Sequence, residues 1–239
     1  MDNLSATMSK ADLHLHTVYS DGYSTPAELV DYVCDHTDLR VIAVTDHDAI
    51  DGAYEAQQYA QARNLDVIIG EEISTREGHM LAYFIERHIR TGMTARDTIA
   101  AIHDQGGLAV AAHPYDWMVR SLGRHHLLQN GQGNPPLWQF DAIETMNSSL
   151  FPQHANLQAA ITARLLGLPI TGGSDSHLLE TVGYGVTLFA GHTADDLRAA
   201  IAQRQTTVMG RRWSYGELVT AAGRLIAHTA GVVVSHFRK

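Results

Sequence analysis

Lys10-Ala11-Asp12-Leu13-His14-Leu15-His16 is followed by Thr25-Pro26-Ala27-Glu28 and then by Val41-Ile42-Ala43-Val44-Thr45-Asp46-His47. The first stretch predicts a strand over Lys10–His16, the second the start of a helix over Pro26–Thr37, and the third a strand over Val41–Thr45. The helix start is well marked: Thr25 can cap it, Pro26 fits the first turn, and Glu28 completes a capping box. Side chains alternate along a strand, so His14 and His16 are expected on one face, with Leu13 and Leu15 on the other. Strand, capped helix and strand make one βαβ unit.

The same rhythm continues outward. Helices are predicted over Ala53–Arg63, Ala95–Gln105, His154–Leu166 and Ala194–Gln203. Strands are predicted over Asp66–Ser74, His79–Ile85, Leu108–Ala112, Ala142–Met146, Pro169–Gly173 and Val186–Phe189. Alternation of this kind favours a parallel sheet with crossovers. About seven units in roughly 200 residues suit an α/β fold that closes into a small or distorted β/α barrel. An open doubly wound sheet is the runner-up. The expected organisation is one domain over residues 1–239, with a core at 10–207 and a C-terminal helical extension at 208–239. That extension can pack on the barrel or against a partner subunit, so a homo-oligomer is among the expected states. Pro114–Gln139 lacks periodicity and reads as a long loop, of the kind that often forms a functional lid.

Composition narrows the function classes. The 239 residues are 45% hydrophobic, enough for one substantial core. Seventeen Lys and Arg against 26 Asp and Glu give a formal charge of −9, which argues against a dedicated nucleic-acid binder. Histidine stands out at 15 residues, and imidazole is the commonest metal ligand. The single cysteine, Cys34, excludes an internal disulfide and is expected to be a buried, inert thiol in mid-helix. Met1–Lys10 shows no apolar signal segment, and Leu225–Val234 is too short to span a bilayer. The expectation is a soluble, cytoplasmic protein with no membrane partner.

Histidines and carboxylates gather where the predicted strands end, the place where parallel α/β folds hold their ligands. His14 and His16 close the first strand, with Asp21-Gly22 shortly after, and His47 closes the second. The third ends Gly70-Glu71-Glu72-Ile73-Ser74, where only one of the two acids can point inward. Gly78-His79 follows a turn, His113-Pro114 follows the fifth strand, and Asp175-Ser176-His177 again sets two ligand types at i, i+2. A set this large, recurring at one end of the fold, points to metal chemistry rather than to incidental histidines.

The chain resembles the PHP (polymerase and histidinol phosphatase) family of metallohydrolases. The likeness lies in Asp12-Leu13-His14-Leu15-His16-Thr17, Ser20-Asp21-Gly22, Thr45-Asp46-His47, Gly70-Glu71-Glu72-Ile73-Ser74, Gly78-His79, Ala112-His113-Pro114 and Gly173-Ser174-Asp175-Ser176-His177. These stretches occur in family order over roughly Lys10–Thr207. The resemblance implies a distorted (β/α)7, TIM-like barrel with two or three divalent metal ions at the strand C-termini. It assigns His14, His16, Glu72 and Asp175 to a first metal, and Glu72, His79 and His113 to a second. Asp21, His47 and His177 would hold a third, and some relatives have His at the Asp21 position. Asp21, Glu72 and His177 are the candidate catalytic residues. The donors are all nitrogen or oxygen, which suits Zn, Mn, Fe or Co.

Three divalent ions against three ligand carboxylates would leave a pocket of about +3, attractive to a phosphate ester. The function implied is a metal-dependent phosphoesterase, hydrolysing a small phosphomonoester or phosphodiester by attack of a metal-bridging hydroxide. A metallohydrolase acting on an amide or lactone, and a non-catalytic metal-binding accessory module, are the alternatives. The expected partner is a small phosphorylated substrate rather than a nucleic-acid strand. Asp12 and Asp46 are candidates for orienting imidazoles. Arg120 and Arg124, with His125 and His126 beside them in the long loop, are candidates for substrate contact. The remaining histidines (His36, His88, His103, His154, His192, His228 and His236) read as surface or packing residues.

Overall fold

Thr25 caps the first helix as its sequence implies: its hydroxyl accepts from the Glu28 amide while the Glu28 carboxylate accepts from the Thr25 amide. The computed structural model describes residues 8–129, 139–149, 153–211, 213–214 and 216–217. Its strands are β1 (Met8–Leu15), β2 (Leu39–Val44), β3 (Asp66–Ser74), β4 (His79–Tyr83), β5 (Leu108–Ala111), β6 (Ala142–Asn147), β7 (Ile170–Gly173), β8 (Gly185–Ala190) and β9 (Thr207–Gly210). The helices are α1 (Pro26–His36), α2 (Asp51–Ala60), α3 (Ala95–His103), α4 (Gly123–Gln129), α5 (Gln153–Leu166) and α6 (Ala194–Ala202).

The strands form one nine-stranded sheet in the order β7-β6-β5-β4-β3-β2-β1-β8-β9. It curls into a nearly closed, distorted barrel, because Leu15 at the end of β1 bridges Ser176 just past β7. Gly173 makes this closure possible: a Cβ there would overlap His14. The barrel interior holds Ala11, Leu13, Val41, Ala43, Ile68, Leu81, Tyr83, Val110, Ala112 and Ala142. Outside, Ile42 and Val44 pack under α1 and α2, and Ala109, Ala111 and Ile143 pack under α3 and α5.

The sheet is mixed rather than parallel throughout. β4 runs antiparallel to both β3 and β5, and β8 is antiparallel to β1 and β9. The physical reason is connection length: only residues 75–78 join β3 to β4, too few for a crossover. β1 also departs from regular alternation. Its register with β2 shifts between Asp12 and Leu15, so Leu13 joins the interior while Leu15 packs outside against α1. The two leucines therefore do not share a face.

Three further expectations change. Cys34 is exposed, because α1 turns Leu29, Val30 and Val33 inward and leaves Cys34 outward. The long loop contains α4, while its residues 130–138 lie outside the described residues. Residues 208–210, assigned to a helical extension, instead continue from Thr207 as β9 along the free edge of β8. Beyond it Trp213 donates from Nε1 to the Ser148 carbonyl (2.7 Å), and Arg211 stacks on Tyr184 while pairing with Glu217. Residues 218–239 lie outside the described residues. Among those described, no helix is long and apolar enough to cross a membrane.

Candidate metal centre

Strands β1–β5 and β7 deliver candidate ligands to the same rim, though not by the same route. β1, β2, β5 and β7 deliver His14 and His16, His47, His113, and Asp175 and His177 at or just beyond their C-terminal ends. His79 is instead the first residue of β4, and reaches that rim because its strand is reversed: it pairs with Ser74, the last residue of β3. In β3, Glu72 lies inward with Ile68, and Glu71 lies on the opposite face.

Glu72 is the hub. Its Oε1 lies 2.8 Å from His113 Nε2 and 2.9 Å from His79 Nδ1. Its Oε2 lies 3.1 Å from His14 Nε2, 3.3 Å from His47 Nδ1 and 3.4 Å from His16 Nε2. Asp175 Oδ1 stands 3.2 Å from His16 Nε2 and 3.5 Å from His14 Nε2. Toward solvent, Asp21 Oδ2 is 3.1 Å from His177 Nε2 and 3.8 Å from His47 Nε2, and Asp21 Oδ1 is 3.6 Å from His16 Nδ1. All nine residues assigned by resemblance thus converge.

Donor atoms of eight of them fall into three groups: His14, His16, Glu72 and Asp175; His47, Glu72 and His79; and His16, Asp21, His47 and His177; His113, against Glu72 Oε1, is in none of the three. The first matches the quartet implied by resemblance. The other two differ: His47 stands in the second where the resemblance places His113, and His16 joins the third, because His16 and His47 each turn one ring nitrogen toward one group and the other nitrogen toward a second.

These residues fit divalent ions. Both ring nitrogens of His16 and Nδ1 of His79 are buried without an aligned hydrogen bond, although carboxylate oxygens lie close by. Two donors each about 2.1 Å from one ion, at tetrahedral or octahedral angles, stand about 3.0–3.4 Å apart. The spacing around Glu72 and Asp175 is of that size. Without an ion the electrostatics are those of a packed ionic cluster. Burial opposes charge on His14, yet Asp175, Glu144 and Glu72 push it well above the ordinary imidazole range. Burial likewise opposes the charge on His113, but Glu72 raises it to about 9, and Asp21 does the same for His177. Glu72 and Asp175 are held well below the usual carboxylate range, with burial outweighed chiefly by His14. Two ligand residues, His113 (φ 24°) and Asp175 (φ 54°), take left-handed backbone conformations, a strain often found at functional sites.

The neighbouring carboxylates divide differently from expectation. Asp12 accepts from the amides of Ser174 (2.9 Å) and Gly183 (2.8 Å), tying β1 to the loop after β7. Asp46 accepts from Thr17 and Ser20 and so holds the turn that carries Asp21. Neither touches an imidazole, because both spend their oxygens on the backbone and hydroxyls of the rim loops. Glu144 of β6 does touch one: its Oε1 is 3.0 Å from His14 Nδ1. Asn147 donates from Nδ2 to Asp175 Oδ2 (3.0 Å). Both escaped the sequence reading, although a buried acid in the strand Ala142–Asn147 was a legible signal.

Arg120 lies beside the centre, but one guanidinium nitrogen donates to the Thr75 carbonyl (2.9 Å) and its own carbonyl accepts from the His79 amide (3.0 Å). Arg124 and His125 are exposed on α4, and His126 beside them is half-buried. His88, read as incidental, pairs with Glu71 at 2.8 Å.

A sequence profile described as PHP-associated matches residues 153–206. An uncharacterised protein of Methanocaldococcus jannaschii, MJ1587, is 36% identical over 125 residues, covering 48% of this chain and 72% of that protein. A 3',5'-nucleoside bisphosphate phosphatase of Chromobacterium violaceum is 33% identical over 78 residues, 33% of this chain and 27% of the phosphatase. Among solved structures, a two-domain protein of Bacteroides vulgatus containing a predicted PHP-like metal-dependent phosphoesterase superposes with a TM-score of 0.71 at 20% identity. The overlap covers 86% of this chain and 65% of the Bacteroides protein. The chain belongs to the PHP family.

Proposed function

We propose that this protein is a metal-dependent phosphoesterase acting on a small phosphomonoester or phosphodiester. The observation that carries this reading is the Glu72 carboxylate, buried and ringed by five imidazoles at 2.8–3.4 Å. The phosphatase and phosphoesterase descriptions of its relatives support the same class. Divalent ions bound in the three groups would supply hydroxide at neutral pH and offset the charge of a phosphate.

The chain's own residues set the direction of approach. His14 and Glu72 are sealed inside, whereas Asp21 (56% exposed), His177 (33%) and His47 (28%) open to solvent. A phosphoryl group therefore arrives at the Asp21–His177 side, and the leaving group stays toward solvent. Gly22 helps shape that side: a Cβ there would overlap the His16 carbonyl, so only glycine lets the turn fold back and carry Asp21 to the rim. Asp21 and His177 are the groups placed to meet substrate, while Glu72 fixes the ions beneath. A strand of nucleic acid is disfavoured by the −9 charge, and a small phosphorylated molecule fits the reading better.

A phosphoester library screened against protein of measured metal content tests the proposal. Turnover that rises with bound Zn or Mn is expected. Activity confined to amides or lactones would sink it in favour of another hydrolase. Metal content near zero, with no turnover after adding Mn²⁺ or Zn²⁺, would point to a non-catalytic module.

A further inference from the structure

Strand β6 supplies no member of the three donor groups, yet two of its side chains reach into them. Glu144 is buried, with Oε1 at 3.0 Å from His14 Nδ1 and Oε2 accepting from the His113 amide (2.7 Å) and from Asn147 Nδ2 (3.2 Å). Asn147, also buried, donates from the same Nδ2 to Asp175 Oδ2 (3.0 Å), and its Oδ1 accepts from the Ser149 amide (2.9 Å). Residues i and i+3 of a regular strand face opposite ways. Here the register of β6 against β7 shifts between Glu144 and Met146, which brings both side chains to one face.

We propose that Glu144 and Asn147 act as a positioning pair for the first donor group, fixing the His14 tautomer and the oxygen that Asp175 presents. The inference rests on the metal-centre part of the reading above and is independent of the substrate. An ionised carboxylate only accepts hydrogen bonds, so Glu144 obliges His14 to carry its proton on Nδ1. The lone pair is then on Nε2, which faces Glu72 and Asp175. The Asn147 amide has two hydrogens and spends them on two carboxylates. Asp175 Oδ2 is thereby occupied, leaving Oδ1 to face His14 and His16. Glutamine at position 144 would offer one acceptor where donors stand on both sides.

The test uses zinc alone as the probe. In the zinc-loaded protein with ¹⁵N-labelled histidine, His14 is expected to show a protonated Nδ1 and a proton-free Nε2. Competition against a chromophoric chelator should show Glu144→Gln weakening zinc binding by about 10–100-fold. Asn147→Ala should move in the same direction by a smaller factor, and Glu71→Gln, altering a buried acid on the opposite face of β3 from the donor groups, should leave binding unchanged. A purely structural role would lower stability in Glu144→Gln without moving the His14 proton. A wild-type His14 protonated on Nε2 would overturn the proposal. So would folded Glu144→Gln and Asn147→Ala proteins that bind zinc within about twofold of wild type. If Glu144→Gln fails to fold, the wild-type spectrum and Asn147→Ala decide. Absent phosphoester turnover alongside the expected zinc pattern would overturn the substrate reading and leave this pair standing.

Discussion

Glu71 and Glu72 are adjacent in β3 and belong to different environments. Glu72 stands inside the rim among five imidazoles, while Glu71 faces outward, pairing with His88 at 2.8 Å and accepting from the Ile89 amide at 3.1 Å. The one-residue alternation of the strand separates the acid of the candidate metal centre from a structural one. Burial raises the Glu71 carboxyl to about 7, so it is close to half-neutral near physiological pH.

Substituting the two acids should therefore give unlike results. Glu72→Gln removes the shared charge of two donor groups, and metal content measured by elemental analysis should fall to near background, with any turnover lost. Glu71→Gln keeps an acceptor for Ile89 and should retain metal, at a stability cost of about 1–2 kcal/mol. Equal metal loss in both variants would show the register of β3 to be misassigned.

Metal removal should destabilise the fold. An ion that binds only the folded protein adds about 2.7 kcal/mol at a hundredfold excess over its Kd. Thermal denaturation with and without a chelator should show a melting point that falls on chelation and recovers with Zn or Mn. Glu72→Gln should lack that metal-dependent increment.

Acidity should control metal uptake. In the metal-free protein His113 and His177 are raised to about 9 by Glu72 and Asp21 against the opposing effect of burial. An ion needs neutral imidazole, so loading near pH 7.5 should release protons, and apparent affinity should climb as pH rises toward about 9. Calorimetry in buffers of different ionisation enthalpy counts those protons; a count of zero would refute the expectation. The stability sign is the reverse. Folded-state values above the ordinary 6.5 stabilise the metal-free protein fully below that pH, and the contribution fades between 6.5 and about 9.

Barrel closure should be sensitive at Gly173, where β7 touches β1 beside His14. Gly173→Ala forces the strands apart and should cost about 1–3 kcal/mol, measured by urea unfolding, with reduced metal content. A stable, fully metallated Gly173→Ala protein would mean that the closure is looser than its geometry implies.

The gathering of histidines and carboxylates at one end of the fold was legible in the chain because its signals are local. His14 and His16 at i, i+2, Asp175 and His177 at i, i+2, and single histidines beyond apolar runs mark one end of the fold without any knowledge of pairing. The Thr25–Glu28 cap and the alternation of strand and helix are equally local, as are the element bounds they predict. Reversed β4 was less visible: its apolar pattern is the same in either direction, and only the short 75–78 connection betrays it.

What the sequence determined by itself was the alternation of strands and capped helices, the α/β barrel that this alternation favours, and where histidines and carboxylates fall along it, since periodicity and capping depend on near neighbours. Tertiary structure alone decided how those residues are shared and oriented. His16 and His47 each serve two groups, and Asp12 and Asp46 brace loops rather than imidazoles. Glu144 and Asn147 reach the ligands only through a register shift. A bulge changes which face a side chain occupies, and strand pairing decides where a bulge falls. That physics is non-local, so no spacing in the chain announces it.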